Sequence, residues 1–190
     1  WNSESNFEKI EHNFIKFANT LSADNSQNLE IEKIKTFSKW KYAKLGLTKS
    51  SMVLLSSSQD MNNYTILPEE YENQYFYTYI LNIYKKIYLK KLETEFKYIN
   101  KVKKAKKKFI EFTKKIWIQE ITDDETGTML NHNLHNVLDL EKLYNEMKNK
   151  YDIFYKELNI EKNRKSTIVI SIILVLSLIF NILNFMMLSR

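Results

Sequence analysis

The sequence contains no cysteine, two glycines and one proline among its 190 residues. Without cysteine the chain has neither disulfides nor thiolate metal ligands, and this composition fits a reducing compartment. Glycine and proline mark most tight turns, so their scarcity excludes a fold built from many short hairpins and predicts long helices. The predicted fold class is therefore mostly α, with a small α/β portion.

Signatures of catalysis are also missing from the sequence. It has three histidines and lacks a nucleophile elbow, a phosphate-binding glycine loop and an HExxH motif. One alternative is a metal site in which His132 and His135 share an ion with Asp139, but pairs with this spacing arise often by chance on helices. The sequence therefore predicts that the protein is not an enzyme, and it assigns no certain cofactor.

One long stretch, residues 166–188, has no ionisable side chain. At about 1.5 Å of rise per residue, such a helix spans the roughly 30 Å hydrocarbon core of a bilayer. We therefore predict a single transmembrane helix. Lys162, Arg164 and Lys165 precede it and only Arg190 follows, so the N-terminal part is expected on the cytoplasmic side of the plasma (inner) membrane.

At about 100° per residue, one face of the predicted span collects most of its polar side chains. The amides of Asn181 and Asn184 are costly against hydrocarbon, so they are expected to face a partner helix or water. Two interpretations stay open, a pore lining and hydrogen bonding between packed helices, and both require a partner helix. This polar stripe consists of Asn163, Thr167, Ile170, Leu174, Ser177, Asn181, Asn184 and Leu188.

Residues 1–68 are predicted to form the small α/β portion, which is expected to be incomplete at its N-terminus because the chain begins with Trp1. Apolar residues three or four positions apart predict a helix from position 7 to position 21, capped by Ser3 or Ser5. A further short helix is expected over residues 29–37. The short apolar run at residues 51–56 predicts a strand.

Residues 69–121 are predicted to be helical, with Pro68 in the first turn. Apolar side chains at Tyr77, Ile80, Tyr84 and Ile87 begin an amphipathic pattern that continues for about fifty residues. No glycine or proline marks a turn in this segment. We nevertheless expect a break near residues 101–108, which would give two antiparallel helices.

Residues 85–115 carry 13 lysines and three glutamates. The default interpretation is a solvated helix face, and the alternatives are binding of anionic lipid headgroups or of a phosphorylated ligand such as a nucleotide. Nucleic acid is not an expected partner, because no base-stacking platform accompanies the charge. The centre of this basic cluster is Lys101, Lys103, Lys104, Lys106, Lys107 and Lys108.

An acidic break at residues 122–128 precedes the last long helix. Asp123, Asp124 and Glu125 are weak candidates for holding a hard cation, and a helix cap is the simpler interpretation. Residues 129–165 are predicted to form a coiled-coil-like stalk that continues without interruption, from about position 130, into the span. Its aromatic side chains favour packing against residues 69–118 or a wide oligomer. The stalk seam comprises Val137, Leu140, Tyr144, Met147, Tyr151, Phe154 and Leu158.

This layout resembles the CorA-like divalent-cation transporters, in which a small α/β portion and long helices lead into a very long membrane helix. The resemblance lies in residues 40–55 (WKYAKLGLTKSSMVLL), 75–92 (YFYTYILNIYKKIYLKKL), 120–127 (EITDDETG) and 144–163. The family's Gly-Met-Asn signature and second membrane helix are absent, so the chain would be a truncated or divergent member.

The resemblance implies a homo-pentamer whose membrane helices line a pore for divalent cations such as Mg²⁺. Ile170 and Leu174 would form the apolar constriction, and Asn181 and Asn184 would form rings of carbonyl oxygens around hydrated cations. Some relatives accompany antiviral CRISPR systems, in which a nucleotide signal acts on the cytoplasmic domain.

Three functional hypotheses follow from the sequence. The first is a homo-oligomeric cation channel or transporter in the lipid bilayer, gated by its cytoplasmic domain. The second is a nucleotide-activated membrane effector of an antiviral defence system, and the third is a tail-anchored coiled-coil interaction protein without transport.

Overall fold

A computed structural model of the chain describes residues 4–19, 34–37, 39–98, 101–117 and 124–188. The chain divides into two compact units, Trp1–Met147 (unit 1) and Lys148–Arg190 (unit 2). Unit 1 combines a three-stranded antiparallel sheet with several helices, and unit 2 is helical. The predicted class, mostly α with a small α/β portion, is confirmed.

The sheet consists of β1 (Lys35–Phe37), β2 (Ala43–Leu47) and β3 (Met52–Ser56), in the order β1-β2-β3. The strand predicted at residues 51–56 is confirmed, and Met52 pairs with Leu47 of β2. The helix expected over residues 29–37 is wrong for positions 35–37, where pairing with β2 satisfies the backbone instead. Positions 29–33 of that prediction lie outside the described residues.

Helix α1 (Glu4–Ala18) packs on this sheet through Phe7, Phe14 and Ala18, all buried. A Cβ atom at Gly46 of β2 would lie 2.8 Å from the Phe14 ring, so glycine is what allows the helix to approach the strand so closely. The α1 helix is confirmed over positions 4–18. Ser5 lies within it and does not cap it, and Ser3 lies outside the described residues.

The predicted helical hairpin is present. Helix α2 (Ile66–Glu70) contains Pro68 in its first turn and leads through one π-helical turn, Tyr71–Tyr75, into α3 (Phe76–Phe96). Helix α4 (Val102–Phe112) returns and ends in a second π-helical turn, Thr113–Trp117. Lys108 Nζ contacts the Glu95 carboxylate oxygens at 2.5 and 2.7 Å, and Tyr88 stacks on Phe112, so α3 and α4 are antiparallel.

Helix α5 (Glu125–Val137) and helix α6 (Leu140–Leu188) are separate elements. The prediction of uninterrupted helix from about position 130 is therefore wrong at positions 138–139, whereas its continuation from the stalk into residues 166–188 is confirmed from Leu140 onward. The break is at Leu138 and Asp139, where Asp139 has a φ of 55°, a left-handed conformation that aspartate tolerates better than most residues. Leu138 and Leu140 on either side of this turn are both buried, so burial of apolar surface offsets the cost of interrupting the helix.

The main core of unit 1 lies between the sheet, the start of α3, α5 and the first turn of α6. Its buried side chains include Leu45 and Leu47 of β2, Leu134 of α5 and Leu140 of α6. The beginning of α6 is thus part of the core of unit 1.

Candidate functional site

Within the part of the chain that the structure describes, α6 is the one helix long and apolar enough to cross a membrane. The large apolar side chains between positions 168 and 182 are 48 to 64% exposed. A helix of a soluble protein that is apolar on all sides normally has its side chains buried. By length, composition and exposure, this part of α6 is therefore suited to a lipid environment.

The polar stripe forms a continuous surface on this helix. Leu174, Ser177 and Asn181 line one shallow groove together with Leu178 and Ile182. Asn184 is partly buried, whereas the side chain of Leu188 lies outside the described residues. The structure thus places three consecutive members of the predicted stripe on one face.

Hydroxyl and amide groups of the stripe differ in how the helix accommodates them. The Thr167 hydroxyl donates to the carbonyl of Asn163, itself a member of the stripe, at 2.9 Å. A hydroxyl has one donor and is satisfied in this way, but an amide has two donor hydrogens and a carbonyl acceptor. Asn181 and Asn184 therefore carry most of the stripe's capacity to bind an outside group.

The N-terminal flank of the span is basic. Lys165 Nζ donates to Glu161 at 2.6 Å, and this hydrogen bond lowers the pKa of the exposed Glu161 carboxyl. Glu161 consequently stays ionised and offsets one of the three positive charges that Lys162, Arg164 and Lys165 contribute.

The stalk seam is divided between the two units. Val137, Leu140, Tyr144 and Met147 belong to unit 1, and Tyr144 stacks on Trp117 with ring centroids 4.1 Å apart. The expected packing against residues 69–118 is confirmed for Tyr144, and Leu140 and Met147 are buried within unit 1. Tyr151, Phe154 and Leu158 lie in unit 2, where Leu158 is exposed.

The basic cluster lies on and before α4. Lys101 precedes the helix, Lys103, Lys104 and Lys107 are exposed, and Lys106 and Lys108 are partly buried. The opposite face of α4 is buried through Val102, Ala105, Phe109 and Phe112. The hydrogen bond from Lys108 is the main cause that lowers the pKa of Glu95, and the charges of Lys108, Lys91 and Lys104 add to the effect. The exposed lysines thus form the solvated side of an amphipathic helix.

The two described carboxylates of the acidic break, Asp124 and Glu125, have separate partners. Asp124 caps α5 by accepting a hydrogen bond from the Gly127 N–H at 3.0 Å, so Gly127 lies inside the helix instead of in the predicted break. Glu125 forms an ion pair of 3.7 Å with Lys39, and Asp123 lies outside the described residues. Among the described residues, no three His, Asp or Glu side chains are placed to hold one metal ion.

The two histidines considered for a metal site have other partners. His132 Nε2 lies 3.2 Å from the Asn136 amide nitrogen, and His135 Nδ1 lies 3.3 Å from Glu141 Oε1. Asp139 is in the turn between α5 and α6.

A buried polar seam between α3 and α5 is the feature that sequence reasoning missed. Thr78, Asn82 and Lys85 are buried on one face of α3, and Lys85 is only 1% exposed. Asn82 Nδ2 donates to Asn131 Oδ1 of α5 at 2.8 Å. Lys85 Nζ lies 5.8 Å from the centre of the Trp117 ring. The spacing of these three polar residues places them on one helical face, which is the signal in the sequence.

No protein-family model, curated protein or solved structure matches the chain. The described residues define a mostly helical protein in which α6 is suited, by length and composition, to crossing a membrane.

Proposed function

We propose that the protein is a homo-oligomeric membrane channel or transporter for cations, in which copies of residues 166–188 surround an ion path. The observation that carries this proposal is the polar stripe on an exposed apolar helix. The single such helix among the described residues cannot enclose a path by itself, so the proposal requires that further copies supply the wall. The basic flank of Lys162, Arg164 and Lys165 supports a cytoplasmic location for unit 1 at the plasma membrane.

The chemistry of the stripe favours cations. Carbonyl oxygens of Asn181 and Asn184 can replace part of the water around a cation, and Ile170 and Leu174 supply an apolar constriction. The uncompensated charges of Lys162 and Arg164 oppose cation entry on the cytoplasmic side. Comparing magnesium, potassium and chloride flux therefore tests the selectivity as well as the path.

Gating by unit 1 is supported by the course of α6. Leu140 at its start is fully buried in unit 1, and the same helix continues to Leu188. Gating by a ligand of unit 1 is therefore part of the proposal, because the helix that carries the stripe begins in the core of unit 1.

Ion flux in liposomes containing the full chain tests the proposal. Asn181→Leu combined with Asn184→Leu should lower cation flux by at least about tenfold, because a loss of 1.4 kcal/mol at the barrier suffices for that factor. The matched control, Ile172→Leu with Ile179→Leu, changes the side of the helix away from the stripe and should leave flux within about twofold.

The mass of each assembly should be measured in the same preparations. Loss of flux with the assembly intact would support the ion path. Absence of flux from an inserted, oligomeric wild-type protein under magnesium, potassium and nucleotide additions would contradict it and favour a protein that is only anchored by its span. Loss of the assembly together with flux would assign the amides to helix packing.

A further inference from the structure

Over its first half, helix α3 buries polar side chains and exposes apolar ones. Its buried face carries Thr78, Asn82 and Lys85, whereas the opposite face exposes four large apolar side chains that are 44 to 60% accessible to solvent. Helices of soluble domains normally bury the apolar face and expose the polar one. We call the exposed set the α3 outer face: Tyr77, Ile80, Tyr84 and Ile87.

The α3 outer face has the pattern of a surface that binds a helix. Its members recur after three, four and three residues, so they follow one side of α3 for about 15 Å at the usual rise per residue. An exposed apolar patch of this kind, rimmed by polar residues, commonly marks an interaction site.

We propose that the α3 outer face is the contact between two copies of this chain, with their α3 helices antiparallel. The inference rests on the homo-oligomer of the proposed function. About a twofold axis near Asn82, Tyr77 faces the partner subunit's Ile87 and Ile80 faces the partner subunit's Tyr84. Each bulky ring then meets a smaller aliphatic side chain, which is the self-complementarity that a twofold interface requires.

The charges at the two ends of this region favour the same arrangement. Exposed acidic residues, Glu69 and Glu72, precede α3, and exposed lysines, Lys90 and Lys91, lie toward its end. Antiparallel pairing brings Lys91 close to Glu72 of the partner subunit, whereas parallel pairing would place like charges together.

The size of the face indicates when the contact forms. Four half-exposed side chains provide a few hundred Å² per copy, less than the roughly 800 Å² per partner of a stable standard-size interface. Chains held together by their spans have a millimolar effective concentration, at which a contact of this size is occupied. We therefore expect it in the membrane-bound oligomer, and it requires an even number of copies.

Disulfide trapping tests the contact directly, because the natural chain has no cysteine to interfere. Full-length chains carrying Ile80→Cys and Tyr84→Cys are co-expressed with different tags and oxidised in their membranes. The mixed disulfide should form at least about fivefold faster than the Tyr77→Cys homodimer, whose thiols would lie about 15 Å apart along the antiparallel helices. Lys103→Cys on the exposed side of α4 is the background control.

A variant in the span distinguishes failure of the α3 contact from failure of the oligomer on which that contact rests. Asn184→Cys should cross-link in any oligomer joined through the polar stripe. If Asn184→Cys forms a disulfide while the α3 cysteine pairs form one only at the background rate, the α3 contact is overturned and the oligomer is not. If disulfide formation is at the background rate at both places, both the α3 contact and the oligomer are overturned. An excess of the Tyr77→Cys homodimer over the mixed pair would also contradict the antiparallel register.

Charge reversal supplies an independent readout. Lys91→Glu should slow trapping of the Ile80→Cys and Tyr84→Cys pair by about two- to fivefold, since an exposed ion pair contributes up to about 1 kcal/mol. Glu72→Lys combined with Lys91→Glu should restore the rate. Equal rates in all three backgrounds would contradict the predicted pairing of Lys91 with Glu72 of the partner subunit.

Discussion

At the scale of single residues, His135 shows how the buried seam constrains the fold. Burial is the main cause that lowers the pKa of His135, and the charge of Lys85 on α3 adds to it. The hydrogen bond to Glu141 of α6 acts in the opposite direction, and the neighbouring His132 of α5 lowers the pKa further. The neutral imidazole therefore belongs to the native packing of α3, α5 and α6.

We predict that acidification destabilises unit 1 through this histidine. Between the ordinary histidine pKa of about 6.5 and the lowered pKa of His135, the unfolded chain binds a proton that the folded chain does not, so stability falls as the pH falls. The free energy of unfolding of the full chain in detergent should decrease from pH 7.5 to pH 5.5, and His135→Gln should make that decrease smaller.

His132→Gln is the comparison variant for this prediction, because His132 lies one turn away on the same helix and its charge also lowers the pKa of His135. It should make the decrease smaller, but by less than His135→Gln does. If the free energy of unfolding of the His135→Gln variant depends on pH as steeply as that of the wild type, the seam does not hold His135 neutral. The lowered pKa of Glu95 affects the stability in a separate pH range, below the ordinary pKa of 4.5 for this carboxyl.

At the scale of elements, the turn between α5 and α6 determines where α6 begins, the helix that is suited by length and composition to crossing a membrane. Leu138 N–H donates to the Leu134 carbonyl at 2.9 Å, and Leu143 N–H donates to the Asp139 carbonyl at 3.1 Å. Asp139, with its positive φ, is the last residue before the new helix.

Glycine and alanine substitutions at Asp139 should therefore change the free energy of unfolding in the opposite direction from the same substitutions in a continuous helix. Asp139→Gly should stabilise the protein by up to about 1 kcal/mol, because glycine adopts a positive φ without steric cost. Asp139→Ala should destabilise it by a similar amount. In an uninterrupted helix glycine would cost about 1 kcal/mol and alanine would be favourable, so chemical denaturation of both variants distinguishes the two arrangements by sign.

The same elements show what the sequence can and cannot predict. The apolar run at residues 51–56 predicted β3 because a short run of apolar residues is typical of a strand. The spacing of apolar residues by three or four positions over residues 7–17 predicted α1. The apolar spacing of α3 is right in placing the large apolar residues at positions 77, 80, 84 and 87 on one face, and it is wrong in continuing that face to Leu92 and Phe96, which are buried instead. It could not show which face is inside, because Tyr77 and Ile80 look like core residues until the buried contacts of Asn82 and Lys85 are known.

The candidate site was predictable to a similar extent. Helical periodicity alone places Leu174, Ser177 and Asn181 on one face, which the groove on α6 confirms. The interruption at Asp139 was not predictable, because neither glycine nor proline marks it and the buried neighbours Leu138 and Leu140 come together only in the folded core. The position of the helix break therefore depends on long-range packing and not on the local spacing of apolar residues.

At the scale of the whole molecule, two features point to association of several copies. The predicted span carries amides that hydrocarbon would not satisfy, and α3 has an apolar face that the described residues leave accessible. Both features are explained if copies of the chain assemble in one membrane, where the stripes meet in the bilayer and the outer faces of α3 pair in unit 1.

The most direct test is the mass of the full-length assembly in lipid nanodiscs, measured by native mass spectrometry. We expect a homo-oligomer with an even number of copies, at least four, because two helices leave no central space for an ion. A monomer or dimer would contradict the proposed ion path, and an odd number of copies would contradict the α3 contact alone.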